Sequence, residues 1–78
     1  MPKKVIVYST ATCPYCKKTK EFLEENNIDF ENIDVGQNQQ AAIEMVEKSR
    51  QMGVPVTDVD GEIIIGYDKP GLKKALGV

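Results

Sequence analysis

Both cysteines of the chain fall within four consecutive residues, Cys13-Pro14-Tyr15-Cys16, between a β-branched apolar run and an amphipathic stretch. That junction constrains the fold at once. "KKVIVYS", Lys3 to Ser9, reads as a buried strand. Pro14 reads as the first residue of a helix, where its missing N–H leaves no intrahelical bond unmade. Cys13 then takes the N-cap position, and Cys16 lies one turn inside the helix. A disulfide between them would close a very short loop and add little stability in the chain-entropy account. A chain of 78 residues, which buries only about 60% of its unfolded surface, would gain more from a wider bridge. The pair therefore reads as chemical rather than structural.

N-caps are usually oxygen-bearing residues that accept bonds from the free N–H groups of the first turn. A thiol accepts poorly and a thiolate accepts well. The position thus favours ionised sulfur on Cys13, through the N–H groups of Tyr15 and Cys16 and the positive end of the helix. Cys16 falls on an inward stripe with Thr19, Phe22 and Leu23, in a helix expected to run to about Asn26. An exposed nucleophile above a buried resolving thiol is the arrangement for thiol–disulfide exchange. Cys13 attacks a disulfide, Cys16 displaces the product, and an external donor restores the dithiol.

Lys17, Lys18 and Lys20 occupy the first two turns, and Glu21, Glu24 and Glu25 follow. This order opposes the helix dipole, which favours acids early and bases late. The lysines favour a thiolate or attract an anionic substrate; equally, they form a solvated face of mixed charge. Metal binding is the rival use of a CxxC pair. Zinc normally takes four ligands, and the chain has two cysteines and no histidine. A homodimer with two thiols from each chain could complete a zinc site or an iron–sulfur cluster. The strand, CxxC and helix context favours redox work.

Composition narrows the field further. The net charge of −2, with acids and bases interspersed, argues against nucleic acid as a ligand. No apolar run reaches membrane-spanning length. The N-terminus lacks the pattern of a signal peptide, so the expected location is cytoplasmic, where disulfides are transient and catalytic.

Further along, "DFENIDV", Asp29 to Val35, reads as a strand anchored by Phe30 and Ile33. A second helix is predicted from Asn38, as N-cap, to about Gln51, with Ala42, Met45, Val46 and Ser49 on one face. "VPVTDVDGEIIIGY" reads as a hairpin turning at Asp60-Gly61. "KPGLKKALG" reads as a closing helix with Leu72, Ala75 and Leu76 inward and Gly77 as its stop. The order β-α-β-α-β-β-α predicts one α/β domain over residues 1–78, a four-stranded mixed sheet flanked by three helices. Its two crossovers predict parallel strands early in the chain and its hairpin an antiparallel pair.

These motifs in this order resemble the glutaredoxin family, small proteins of thioredoxin-like fold: "CPYC" after a strand, "GVPV" at Gly53 to Val56, and "IIGYD" before a terminal helix. The resemblance implies catalytic roles for Cys13 as nucleophile and Cys16 as resolving thiol. It implies a cis-proline at Pro55 and a substrate groove bordered by Tyr15. Val54 would pair with the substrate backbone, and the Gly66-Tyr67-Asp68 loop would hold the γ-glutamyl end of glutathione. It further implies no metal and no tightly bound cofactor, with glutathione as a co-substrate and a monomeric protein acting on disulfide-containing proteins or small disulfides. The chain departs from many glutathione-using members in carrying Thr10 where they carry a cation, and Ile65 where they carry a second glycine. The "GYDKPGL" ending also resembles small glutaredoxin-like proteins, including hydrogen donors of ribonucleotide reductase, that are reduced by thioredoxin reductase. Glutathione and thioredoxin reductase therefore both stand as donors at this point.

Overall fold

The computed structural model describes residues 4–51 and 53–77. The elements are β1 (Val5–Ser9), α1 (Pro14–Glu25), β2 (Glu31–Asp34), α2 (Gln39–Ser49), β3 (Val56–Val59), β4 (Glu62–Ile65) and α3 (Lys69–Leu76). The expected order is present; Lys3, read as part of the first strand, lies outside the described residues. Each element has a local cause. α1 starts at the Cys13 cap and Pro14, and it buries Cys16, Thr19, Phe22 and Leu23, as its periodicity predicts. It ends in a Schellman motif. Asn27 is left-handed (φ 56°), its N–H bonds the Glu24 carbonyl, and Ile28 N–H bonds the Leu23 carbonyl. The Asp60-Gly61 turn has positive φ at both residues, the type I′ geometry that matches strand twist. Asp58 fastens it by accepting the Gly61 N–H at 2.7 Å.

The strands lie in the order β2-β1-β3-β4. β2 runs parallel to β1, whereas β3 runs antiparallel to it, with Tyr8 opposite Val56 and Val5 opposite Val59. The first crossover thus gives a parallel pair and the second does not, contrary to the sequence expectation. A crossover helix can return the chain to either end of a strand, so the crossover alone does not set strand direction. Arg50 closes α2 in the left-handed region, ending it at Ser49 rather than near Gln51. The chain then enters β3 at the C-terminal end of β1, beside the cysteines.

α1 and α3 cover one face of the sheet. Phe22, Leu23, Leu72 and Ala75 pack there on Val5, Val7, Val59 and Ile64. Truncating a buried leucine of this kind costs about 2–5 kcal/mol. α2 covers the other face, with Ala41 and Met45 against Tyr8 and Val56. Its buried line is centred on Ala41 rather than Ala42, which is only half-buried. At the far end of that face Lys48 Nζ donates to Tyr8 Oη and to Asp58 Oδ2, each at 2.9 Å. These bonds, Tyr8 first and Asp58 second, hold the Lys48 ammonium above the usual lysine range. Among the described residues no helix is long and apolar enough to cross a membrane.

Candidate active site

β1 ends at Ser9, and the chain turns so that Cys13 N–H reaches the Thr10 carbonyl at 3.4 Å. The turn delivers Cys13 to the helix entrance in extended conformation (φ −95°, ψ 110°). Its sulfur accepts the Cys16 N–H at 3.1 Å. The cap bond therefore comes from the third helical residue, not from Tyr15 as well. Cys13 is half-exposed and Cys16 is fully buried, and both are free thiols.

Burial pushes the Cys16 thiol up to about 11. Its hydrogen bond and its charge interaction with Cys13 act in the same direction, whereas the Thr10 backbone and the Lys20 charge act against it. At neutral pH Cys16 is a protonated, inaccessible sulfur next to a half-exposed one. The two positions are chemically unequal before any substrate arrives.

The Val54–Pro55 bond is cis. The Cys13 thiol lies 3.8 Å from the Val54 carbonyl oxygen, to which it donates across 41 residues of sequence. Pro55 is buried, and its carbonyl accepts the Gly66 N–H at 2.7 Å. Gly66 is left-handed (φ 75°), a conformation that side chains disfavour. Cys13, Val54, Pro55 and Gly66 thus form a connected row. Tyr67 follows, half-buried against the α1–α3 core. Asp68 is exposed, and its carboxylate caps α3 by accepting the Gly71 N–H at 3.1 Å. Tyr15 stands 57% exposed next to Cys13, with Lys18 Nζ 5.5 Å from its ring centre.

A separate open cleft of about 630 Å³ is lined by Thr10, Ala11, Thr12, Cys13, Pro14, Lys17 and Lys20. None of the row from Val54 to Asp68 lines it. Thr10 thus shares this cleft with two cations of α1, Lys17 and Lys20. Sequence reasoning did not single out Lys20. The signal that separates Lys20 was present: it lies four residues after Cys16, on the same helix face. The hydrogen bond from Gly66 to Pro55 carried no sequence signal. Among the described residues no group of three or more His, Cys, Asp and Glu side chains could hold a metal ion.

A family model for glutaredoxin matches residues 5–64. The chain is 47% identical over 70 residues to an uncharacterised glutaredoxin-like 8.6 kDa protein in the rubredoxin operon of Clostridium pasteurianum, covering 90% of this chain and 93% of that protein. It is 31% identical over 64 residues to glutaredoxin 3 of Escherichia coli, covering 82% of this chain and 77% of the relative. Among solved structures, a mutant of a thioredoxin-like protein superposes with a TM-score of 0.91 at 31% identity, covering 96% of each chain.

Proposed function

Because the chain belongs to the glutaredoxin family, whose chemistry is thiol–disulfide exchange, we propose that it is a dithiol oxidoreductase in which Cys13 attacks and Cys16 resolves. The observation that carries this reading is the inequality of the two sulfurs: one half-exposed at a helix N-cap, the other buried beneath it. The Cys13 thiolate attacks a substrate disulfide, forming a mixed disulfide and releasing the first substrate thiolate. Cys16 then loses its proton and attacks the Cys13 sulfur. The Cys13–Cys16 bond forms, and the second substrate sulfur leaves and takes up a proton. Two electrons pass from the dithiol to the substrate, and an external thiol or reductase returns them.

In this reading the substrate lies along the row beyond Cys13. The Val54 backbone pairs with the substrate chain beside Pro55, and Tyr15 borders the reacting sulfurs. Gly66, Tyr67 and Asp68 receive the γ-glutamyl end of glutathione, with the Asp68 carboxylate near its ammonium. Asp68 can keep its capping bond in that role, because a carboxylate accepts several hydrogen bonds. The glycyl carboxylate faces Lys17 and Lys20 across the cleft. Glutathione is then a competent co-substrate despite Thr10, and no resident cofactor is required. Thioredoxin reductase is the alternative donor. Disulfide-bearing proteins, ribonucleotide reductase among them, are the targets. The reaction suits a reducing compartment, the cytoplasm. Full burial of Cys16 disfavours its sharing a metal or cluster with a second chain.

The test is NADPH oxidation coupled to reduction of a small disulfide. One arm supplies glutathione with glutathione reductase, and the other supplies thioredoxin reductase. Turnover with either donor, lost in Cys13→Ser, is the expected result. No turnover in both arms would refute the proposal.

A further inference from the structure

The reaction leaves one problem unsolved. The resolving thiol is buried, and burial disfavours the thiolate that the second displacement requires. Any group that relieves this has to reach Cys16 from within the protein. Lys20 is the cation so placed. It follows Cys16 by four residues, so the two side chains share one face of α1. It lines the cleft that opens on Cys13. It is half-buried, while Lys17 and Lys18 are exposed. Among the described residues the ion pair found is Lys48–Asp58, and no carboxylate, that of Glu24 four residues on included, lies within ion-pair distance of Lys20. A half-buried lysine one turn along the same helix from a buried thiol can act on charge that develops there.

We propose that Lys20 is a positioning residue for the resolving half of the reaction, holding its ammonium where it stabilises the Cys16 thiolate once Cys13 is tied up in a mixed disulfide. This rests on the exchange reading above. The Cys16 proton goes to solvent or to the departing thiolate, and the electron pair of Cys16 forms the new S–S bond.

The balance of influences on Cys16 changes between the two half-reactions. In the dithiol, burial, the Cys13 hydrogen bond and the Cys13 charge all raise its pKa. In the mixed disulfide, Cys13 carries neither a thiol proton nor a charge. Of the influences present in the dithiol, burial is then left, opposed by the Thr10 backbone and, more weakly, by the Lys20 charge. The other charged group of the cleft is Lys17. The sheet and α3 residues of the core on that face, Val5, Val7, Val59, Ile64, Leu72 and Ala75, carry no ionisable group, and the phenol packed against that core is Tyr67. Glu62 pairs with Val59, at the end of β4 away from the cysteines. Lys20 is thus timed by the chemistry: its influence counts most after the first displacement.

A stopped-flow experiment separates the halves. Reduced protein is mixed with an uncharged pyridyl disulfide, whose two chromophoric thiopyridones leave in sequence, the first on attack by Cys13 and the second on resolution by Cys16. In Lys20→Gln the first phase, with its uncharged substrate, slows less than the second. The second slows about two- to fourfold at neutral pH, the modest size expected because a charge near the surface is screened and a less acidic thiolate is also more nucleophilic. The deficit narrows as pH rises toward the Cys16 pKa, because both proteins then carry the thiolate. Lys20→Arg restores the second phase. An unchanged second phase in Lys20→Gln, equal slowing of both phases, or failure of Lys20→Arg to restore the rate would overturn the proposal. Absence of the first phase in wild type would instead sink the exchange reading itself.

Discussion

The N-termini of α1 and α2 are built to one plan and used for different ends. In each an extended residue caps the helix by accepting the N–H of the third helical residue at 3.1 Å: Cys13 from Cys16, and Asn38 from Ala41. The cap atom differs. Asn38 offers an amide oxygen, which holds the helix end and does nothing else. Cys13 offers a sulfur, which holds the end while free and, in the proposed cycle, leaves that role whenever it bonds to substrate. A helix start can thus serve as a reactive centre with no change of backbone design, provided the capping atom is itself the reagent. α3 repeats the plan with Asp68, whose charge gives the cap a proposed part in binding.

The sharpest way to break the comparison is to exchange the cap atom of α1. Cys13→Ser keeps a good N-cap and removes the sulfur. Exchange should be abolished in the coupled assay, while stability changes by less than about 1 kcal/mol in denaturant unfolding. A large loss of stability would mean that the sulfur is needed to hold the helix.

Next in size is the contrast within the first turn of α1. The rise of the Cys16 thiol from 9.0 to about 11 lowers its thiolate fraction roughly a hundredfold at neutral pH. Iodoacetamide should therefore label Cys13 at least about tenfold faster than Cys16, as read by mass mapping of partly labelled protein. Labelling of Cys16 should become appreciable only as pH climbs toward 11. Earlier labelling of Cys16 would reverse the assigned roles. The same shift works against the fold in alkali. The unfolded chain releases the Cys16 proton at lower pH than the folded chain does. This contribution is therefore complete below about pH 9 and is lost as pH rises toward 11.

Asn38→Ala tests the purely structural cap. It should cost about 1 kcal/mol, a fall of about 4–8 °C in Tm, and leave the exchange rate unchanged. A matching loss of activity would mean that α2 reports to the cysteines after all. The smallest effect is expected for Asp68→Asn, which keeps a capping oxygen and removes a charge. Stability should move by no more than about 0.5 kcal/mol. The glutathione concentration for half-maximal rate should rise about two- to fivefold. No change in that concentration would leave Asp68 as a cap alone.

Local rules made much of this molecule legible in advance. Pro14 marks a helix start, the spacing of Cys16, Thr19, Phe22 and Leu23 marks its buried face, and Asp60-Gly61 marks a hairpin. Each depends on backbone preferences or periodicities within a few residues, which a sequence displays directly. The inequality of the two cysteines was legible for the same reason, since cap and stripe positions differ by one turn. The tertiary structure alone decided the direction of β3, because a crossover helix can return the chain to either end of a strand. Here the chain leaves α2 through a left-handed Arg50 and enters β3 at the C-terminal end of β1. That choice sets Val54 against Cys13 across 41 residues, and it sets Gly66 against Pro55. It also fell to the packing of α1 on the sheet to single out one of three similar lysines, leaving Lys17 and Lys18 in solvent and half-burying Lys20. Short-range preferences determine which residues begin, end and line the elements. Which distant residues meet depends on how those elements share one buried core, and no local pattern records it.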